Sequence, residues 1–207
     1  SAYAGSSLEG EVTIATQGIQ QWTVPAVGTY TIEVWGSSTP DQNYTTYNND
    51  HGLGARMKGD FNLAAGEILQ ILVGQKPNQS GFNGGGGGTF VAKGASHGNA
   101  TALIVAGGGG SHRSDNAATN FEGLLDGVTV TAGVTTQYAG GTNGGGGGSS
   151  SSTSDNGGGG AGFTGNGSIP SLGSYSAAYS FRNGGVGGLY DTQGGQAGGF
   201  GGGGAGG

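Results

Sequence analysis

Residues 84–110, GGGGGTFVAKGASHGNATALIVAGGGG, set two kinds of chain side by side. Thr89-Phe90-Val91-Ala92 and Ala102-Leu103-Ile104-Val105-Ala106 are short runs rich in β-branched, aromatic and aliphatic residues, the composition of strands. Glycine runs flank them, residues 84–88 before the first and 107–110 after the second. Strand and glycine are interleaved, so the glycine is an insertion between strands and not a tail.

Towards the N-terminus the strand signal strengthens. Glu11-Val12-Thr13-Ile14 alternates, Gln20-Gln21-Trp22-Thr23-Val24 is stopped by Pro25, and Thr29-Tyr30-Thr31-Ile32-Glu33-Val34-Trp35 alternates again after Gly28. The Pro25 to Gly28 segment reads as a turn between two antiparallel strands. A polar loop over 36–51 follows, then Arg56 to Leu63 and Ile68 to Val73 around the turn Ala64-Ala65-Gly66-Glu67. No helical period occurs anywhere, so the fold class is all-β, a small sandwich with essentially no α-helix. Trp22, Tyr30, Ile32, Val34, Phe61, Leu63, Ile71, Val73, Phe90, Leu103 and Val105 are its expected core.

Towards the C-terminus glycine dominates: 43 of the 54 glycines lie at or beyond residue 84, with further runs at 144–148, 157–160 and 201–204. One reading is a flexible Gly/Ser linker, strongest around 144–160, because low hydrophobicity does not offset the entropy of ordering. The other is order. The runs are nearly equal in length, are separated by compact segments with Tyr, Phe or Leu, and abut credible strands. An extended three-residue-per-turn helix rises about 3.1 Å per residue and makes no internal hydrogen bonds, so every partner must come from neighbouring chains. Glycine permits that approach on all sides, with N–H···O=C bonds reinforced by Cα–H···O contacts. The every-third-residue glycine and the prolines of collagen are absent. The expectation is one glycine-rich unit over 1–207, with 11–110 mainly sandwich strands and the first glycine helices. Residues 111–207 are mainly a polyglycine-helix bundle with its loops.

A net charge of −6 with only six scattered Lys and Arg argues against nucleic acid and anionic membranes as partners. With no cysteine there is neither a disulfide nor a thiolate metal site. No stretch approaches the ~18 apolar residues of a membrane span, so no membrane insertion is expected; the chain reads as soluble, with any signal peptide already removed. No Gly-Lys-Ser/Thr follows a glycine run, which disfavours nucleotide binding. His51, His97 and His112 lie in separate loops without metal-pair spacing, and Ser111, His112 and Asp115 lack the elbow that exposes a nucleophile. Asp41, Asp50, Asp115, Asp126 and Asp155 form no calcium loop. The expectation is a non-enzyme with no cofactor and no metal.

The residues suited to recognition are loop aromatics: Tyr44 and Tyr47, then Tyr138, Tyr175, Tyr179, Phe181 and Tyr190 between glycine runs. Tyr with Ser, Gly and Asn gives large contact area at small entropic cost. The alternative is that these aromatics pack on the glycine bundle and cap it. Asn-x-Ser/Thr triplets begin at Asn43, Asn78, Asn99 and Asn166 and mark possible N-glycosylation in a secreted protein.

Six segments in order, Gly18 to Ala26, Gly28 to Ile32, Gly59 to Leu63, Ile71 to Gln75, Gly84 to Val91 and Leu103 to Gly110, resemble the glycine-rich domain of the anaplastic lymphoma and leukocyte tyrosine kinase receptors. The resemblance covers residues 11–110; the remainder is similar in style alone. It implies a jelly-roll sandwich like that of tumour necrosis factor, with hexagonally packed polyglycine-II helices inserted between its strands. A looser similarity is to phage tail-fibre tip adhesins, whose inter-helix loops contact the host receptor. Two departures stand out. The receptor domain carries cysteines that are absent here, and it closes with an apolar strand after its last glycine run, where this sequence ends in glycine.

An unclosed sandwich exposes a sheet edge that templates another chain. The expected partner is therefore a second copy or fibre subunit joined by strand addition, with Ser1 to Thr16 as the donor, or else the chain continues beyond Gly207. The expected function is a non-catalytic extracellular structural or adhesive protein at a cell or virion surface, self-associating into or decorating a fibre. Two alternatives are a phage-type or bacterial adhesin gripping a surface receptor or glycan through its loops, and the ligand-binding ectodomain of a receptor kinase relative.

Overall fold

The computed structural model describes residues 3–6, 8–40, 52–77, 84–111, 125–135, 139–149, 157–169, 176–189 and 197–204. Among these residues seven strands form: β1 (Val12–Thr16), β2 (Ile19–Thr23), β3 (Gly28–Trp35), β4 (Arg56–Leu63), β5 (Ile68–Leu72), β6 (Thr89–Lys93) and β7 (Thr101–Ala106). Two 3-10 turns, His97–Asn99 and Phe181–Asn183, are the helical elements among the described residues. The architecture is all-β and every strand pairing is antiparallel.

The strands divide into two sheets, one ordered β1-β2-β5-β6-β7 and the other a β3-β4 pair. The Pro25 to Gly28 segment therefore joins two layers and not two hydrogen-bonded neighbours. Val24 still follows the larger sheet, donating to Glu67 O (2.8 Å) and accepting from Gly66 N–H (2.8 Å). Pro25 has no N–H to extend that ladder, and the chain crosses over, with Trp22 and Tyr30 meeting edge-on at 5.8 Å. The chain returns through residues 64–67, where Gly66 takes φ +82° and Glu67 N–H donates to Ala64 O.

Alternation fixes which side chains enter the space between the sheets. Val34 and Leu63 from the small sheet meet Leu69, Val91, Ile104 and Ala106 from the large one, with Trp22, Tyr30, Ile32, Phe61, Ile71 and Leu103 packed around them. Val73 departs from the expectation: it lies one residue beyond β5 and is 50 % exposed. Phe90 and Val105 point the other way, into a second core with Ile19, Leu72, Ala92, Phe163, Phe181 and Phe200. The centre of the large sheet, β5 and β6, is thus buried on both faces, its far side covered by phenylalanines from the glycine-rich half. Phe163 and Phe181 stack at 5.1 Å, and Phe90 lies 5.4 Å from Phe181.

That far face also carries a polar ladder. Thr13 Oγ1 donates to Gln21 Oε1, Gln21 Nε2 to Gln70 Oε1 and Gln70 Nε2 to Gly94 O (2.9 Å). Gln70 is fully buried, and the ladder satisfies it there. The ladder also helps hold β1 on β2, so the segment expected to act as a donor to another copy has Val12–Thr16 paired within its own chain.

Candidate interaction surface

The glycine runs hold one another through their backbones. Gly86 N–H donates to Gly109 O (2.8 Å), Gly85 N–H to Gly204 O (2.9 Å), Gly188 N–H to Gly203 O (2.9 Å), Ala161 N–H to Gly202 O (2.7 Å) and Gly147 N–H to Gly160 O (2.7 Å). These bonds step sideways through residues 107–110, 84–88, 198–204, 157–162 and 144–148. At many positions the space between runs admits no side chain. A Cβ added at Gly108 would lie 2.1 Å from Gly86 O, at Gly87 1.7 Å from Phe200 O, and at Gly167 1.9 Å from Gly159 O. Glycine is required at these positions by contact distance, since the obstructing atoms are backbone.

This lattice is fastened to the large sheet at defined points. Arg182 lies with its guanidinium 5.4 Å from the centre of the Phe163 ring and donates through Nη2 to Ala100 O (2.8 Å). His97 meets Phe181 edge-on at 6.4 Å, which gives this histidine a packing role. Phe181, one of the aromatics considered for recognition, is fully buried and belongs to the core.

Of the remaining recognition candidates, Tyr44, Tyr47, Tyr138, Tyr175 and Tyr190 lie outside the described residues. Tyr179 is described and 43 % exposed. It sits on a hairpin-like segment where Tyr179 N–H donates to Val186 O and Ser176 N–H to Leu189 O, both at 2.8 Å, and Val186 and Leu189 are also exposed. Asn43 and Asn78 fall outside the described residues. Asn99 is exposed in the first 3-10 turn, while Asn166 uses Oδ1 to accept from Ser180 N–H (2.9 Å) and Asn183 Nδ2 (2.8 Å). Asp126, a loop carboxylate in the sequence, accepts from Leu53 N–H (2.7 Å) and pins the chain entering β4.

Sequence reasoning passed over the outer face of the small sheet. Arg56, Lys58, Asp60 and Asn62 alternate outward on β4, opposite Trp35, Glu33, Thr31 and Thr29 on β3. Thr29 donates to Asn62 Oδ1 (2.8 Å), Thr31 to Asp60 Oδ1 (2.6 Å), and Arg56 Nε to Glu33 Oε1 (2.7 Å). The Arg56 guanidinium lies 5.5 Å from the centre of the Trp35 ring, and Trp35 is 53 % exposed. The signal was the polar alternation within 56–62, which composition-level reading assigns to solubility.

Elsewhere Lys93 Nζ meets Glu67 Oε1 at 3.0 Å, and this bond, with the Ala64 N–H, holds the Glu67 carboxyl below its ordinary range. Among the described residues no three His, Cys, Asp or Glu come together as a metal site, and no helix is long and apolar enough to cross a membrane. No protein-family model matches this chain.

Proposed function

We propose that this protein is a non-catalytic extracellular structural and adhesive protein, displayed at a cell or virion surface and self-associating into or decorating a fibre. In this reading the glycine runs are polyglycine-II helices packed as a rigid slab, inserted into a jelly-roll sandwich of the tumour-necrosis-factor type. The observation that carries it is the backbone-to-backbone lattice, in which Gly86 bonds sideways to Gly109 and Gly85 to Gly204 at 2.8–2.9 Å, with no room for a Cβ at Gly86, Gly109 or Gly204. Such a lattice contributes stiffness without presenting reactive side chains, and it leaves the connections between runs as the variable parts. The exposed sequon at Asn99 supports the extracellular placement.

Sedimentation velocity and negative-stain microscopy of the intact chain test the reading. The expected result is concentration-dependent assembly into dimers or longer particles. A monomer at every concentration, with no filament, refutes the self-associating role.

A second reading, a loop-displaying adhesin for a surface receptor or glycan, is favoured by the exposed Tyr179, Val186 and Leu189 on one segment. It predicts saturable binding to cells or glycan arrays that Tyr179→Ala abolishes while the melting temperature stays unchanged.

A further inference from the structure

The small sheet has two strands, so each strand pairs on one side and, among the described residues, neither has a backbone partner on the other. An open edge of this kind is normally blunted by a charge in its middle. β4 carries Lys58 there, and among the described residues no ion pair engages Lys58. Asp60, two residues on and on the same face, is bonded to the hydroxyl of Thr31 and is likewise not ion-paired among the described residues. Gly59 lies between them.

Two copies of β4 laid antiparallel about an axis through Gly59 place Lys58 opposite Asp60 of the second copy, and Asp60 opposite its Lys58. Directly opposed side chains of opposite charge favour a register and like charges oppose it, so the neighbouring registers can be compared. Centring the axis on Lys58 sets lysine against lysine, and centring it on Asp60 sets carboxylate against carboxylate. The Gly59 register alone among the three opposes no like charges. On the inner face it sets Met57 opposite Phe61 of the second copy; both are half-buried with apolar surface to cover. Gly59 faces Gly59, and the Phe61 ring of the same chain already overlies its vacant Cβ position at 3.2 Å. Beneath β4 lies β7, the outermost strand of the large sheet, so the same axis brings the second layer of the sandwich towards its counterpart.

We infer that β4 is a homotypic docking edge at which a second copy of this chain pairs antiparallel through Lys58, Gly59 and Asp60, forming a two-fold dimer. This deepens the self-association in the proposed function and rests on it. The interface is isologous, so each charge occurs twice and one substitution acts at two contacts. The lysine that blocks foreign strands thus becomes the residue that selects a like one.

The test is sedimentation velocity of the full chain at low salt for wild type, Lys58→Asp, Asp60→Lys and the exchanged double variant Lys58→Asp/Asp60→Lys. The expected result is a dimer whose dissociation constant rises roughly tenfold or more in each single variant and returns to near the wild-type value in the double variant. Mixing the two single variants, one wholly acidic and one wholly basic at these positions, is expected to give a heterodimer tighter than either homodimer. A folding defect cannot produce that rescue. Self-association indifferent to all four sequences overturns the β4 edge and leaves the wider reading standing; a monomer throughout overturns both.

Discussion

Gly107 and Gly108 are neighbours in one run, yet the structure assigns them opposite responses to alanine. At Gly107 an added Cβ meets nothing within 4 Å. At Gly108 it would lie 2.1 Å from Gly86 O, 2.5 Å from Gly86 C and 2.8 Å from Gly87 C, all backbone. Restoring ordinary contact requires the Gly86 carbonyl to retreat by about 1 Å. That carbonyl shares a peptide plane with the Gly87 N–H, which donates to Gln75 O, and the adjoining Gly86 N–H donates to Gly109 O. Overpacking costs about 1–3 kcal/mol and each buried donor left unpaired about 1–3 kcal/mol, so Gly108→Ala is expected to destabilise by about 2–5 kcal/mol. Gly107→Ala is expected to be neutral or to stabilise by about 0.4–1 kcal/mol through the unfolded chain. Urea denaturation of the two variants reads the difference, and thermal melting should separate them by roughly 4–20 °C for a chain of this size. A flexible glycine linker gives both variants the same midpoint. Equal midpoints would therefore refute the lattice.

Phe181→Ala removes a fully buried ring stacked on Phe163 and set against Phe90, and about 3–5 kcal/mol of destabilisation is expected in the same denaturation assay. Val73→Thr, at a half-exposed position just past β5, is expected to shift stability by less than about 0.5 kcal/mol, where Leu72→Ala next to it costs about 2–5 kcal/mol. Because the folded Glu67 carboxyl titrates below its unfolded counterpart, its pairing with Lys93 contributes stability above the unfolded pKa and loses it as pH falls through the folded one. Acid titrations of unfolding should therefore lose part of their slope in Glu67→Gln. Rising sodium chloride is expected to weaken the dimer proposed at β4, because its ion pairs are exposed and screened, and sedimentation across a salt series checks it.

The strands were legible because alternation and β-branched composition are local signals, clear in residues 29–35 and 89–92. Their distribution between layers was not. Pro25 marks a turn equally well within one sheet or between two, and only the pairing of β2 with β5 decides. Gln70 escaped notice as a core residue because its burial depends on Gln21 from another strand and the Gly94 carbonyl, neither adjacent in sequence. Phe181 reads as a displayed aromatic because Ser180, Arg182, Asn183 and Gly184 flank it; the apolar face that receives it is built from Leu72, Phe90 and Ala92, far back in the sequence. The charges of β4 look like ordinary solubilising residues until the edge they line is seen to lack a partner among the described residues.

Phe163, Phe181 and Phe200 do something for the glycine lattice that glycine does not do for itself. Rungs made only of backbone are interchangeable, so a run displaced by one residue finds nearly the same bonds in its new position. A chain of such runs has many closely similar ways to assemble and little to choose among them. Each phenylalanine fits one place on the far side of the large sheet, and its burial there sets the alignment of the glycines on either side. The three rings act as indexing pins. Replacing one should do more than lower stability: it should let the adjoining run slide, so that a single conformation gives way to several slowly exchanging ones.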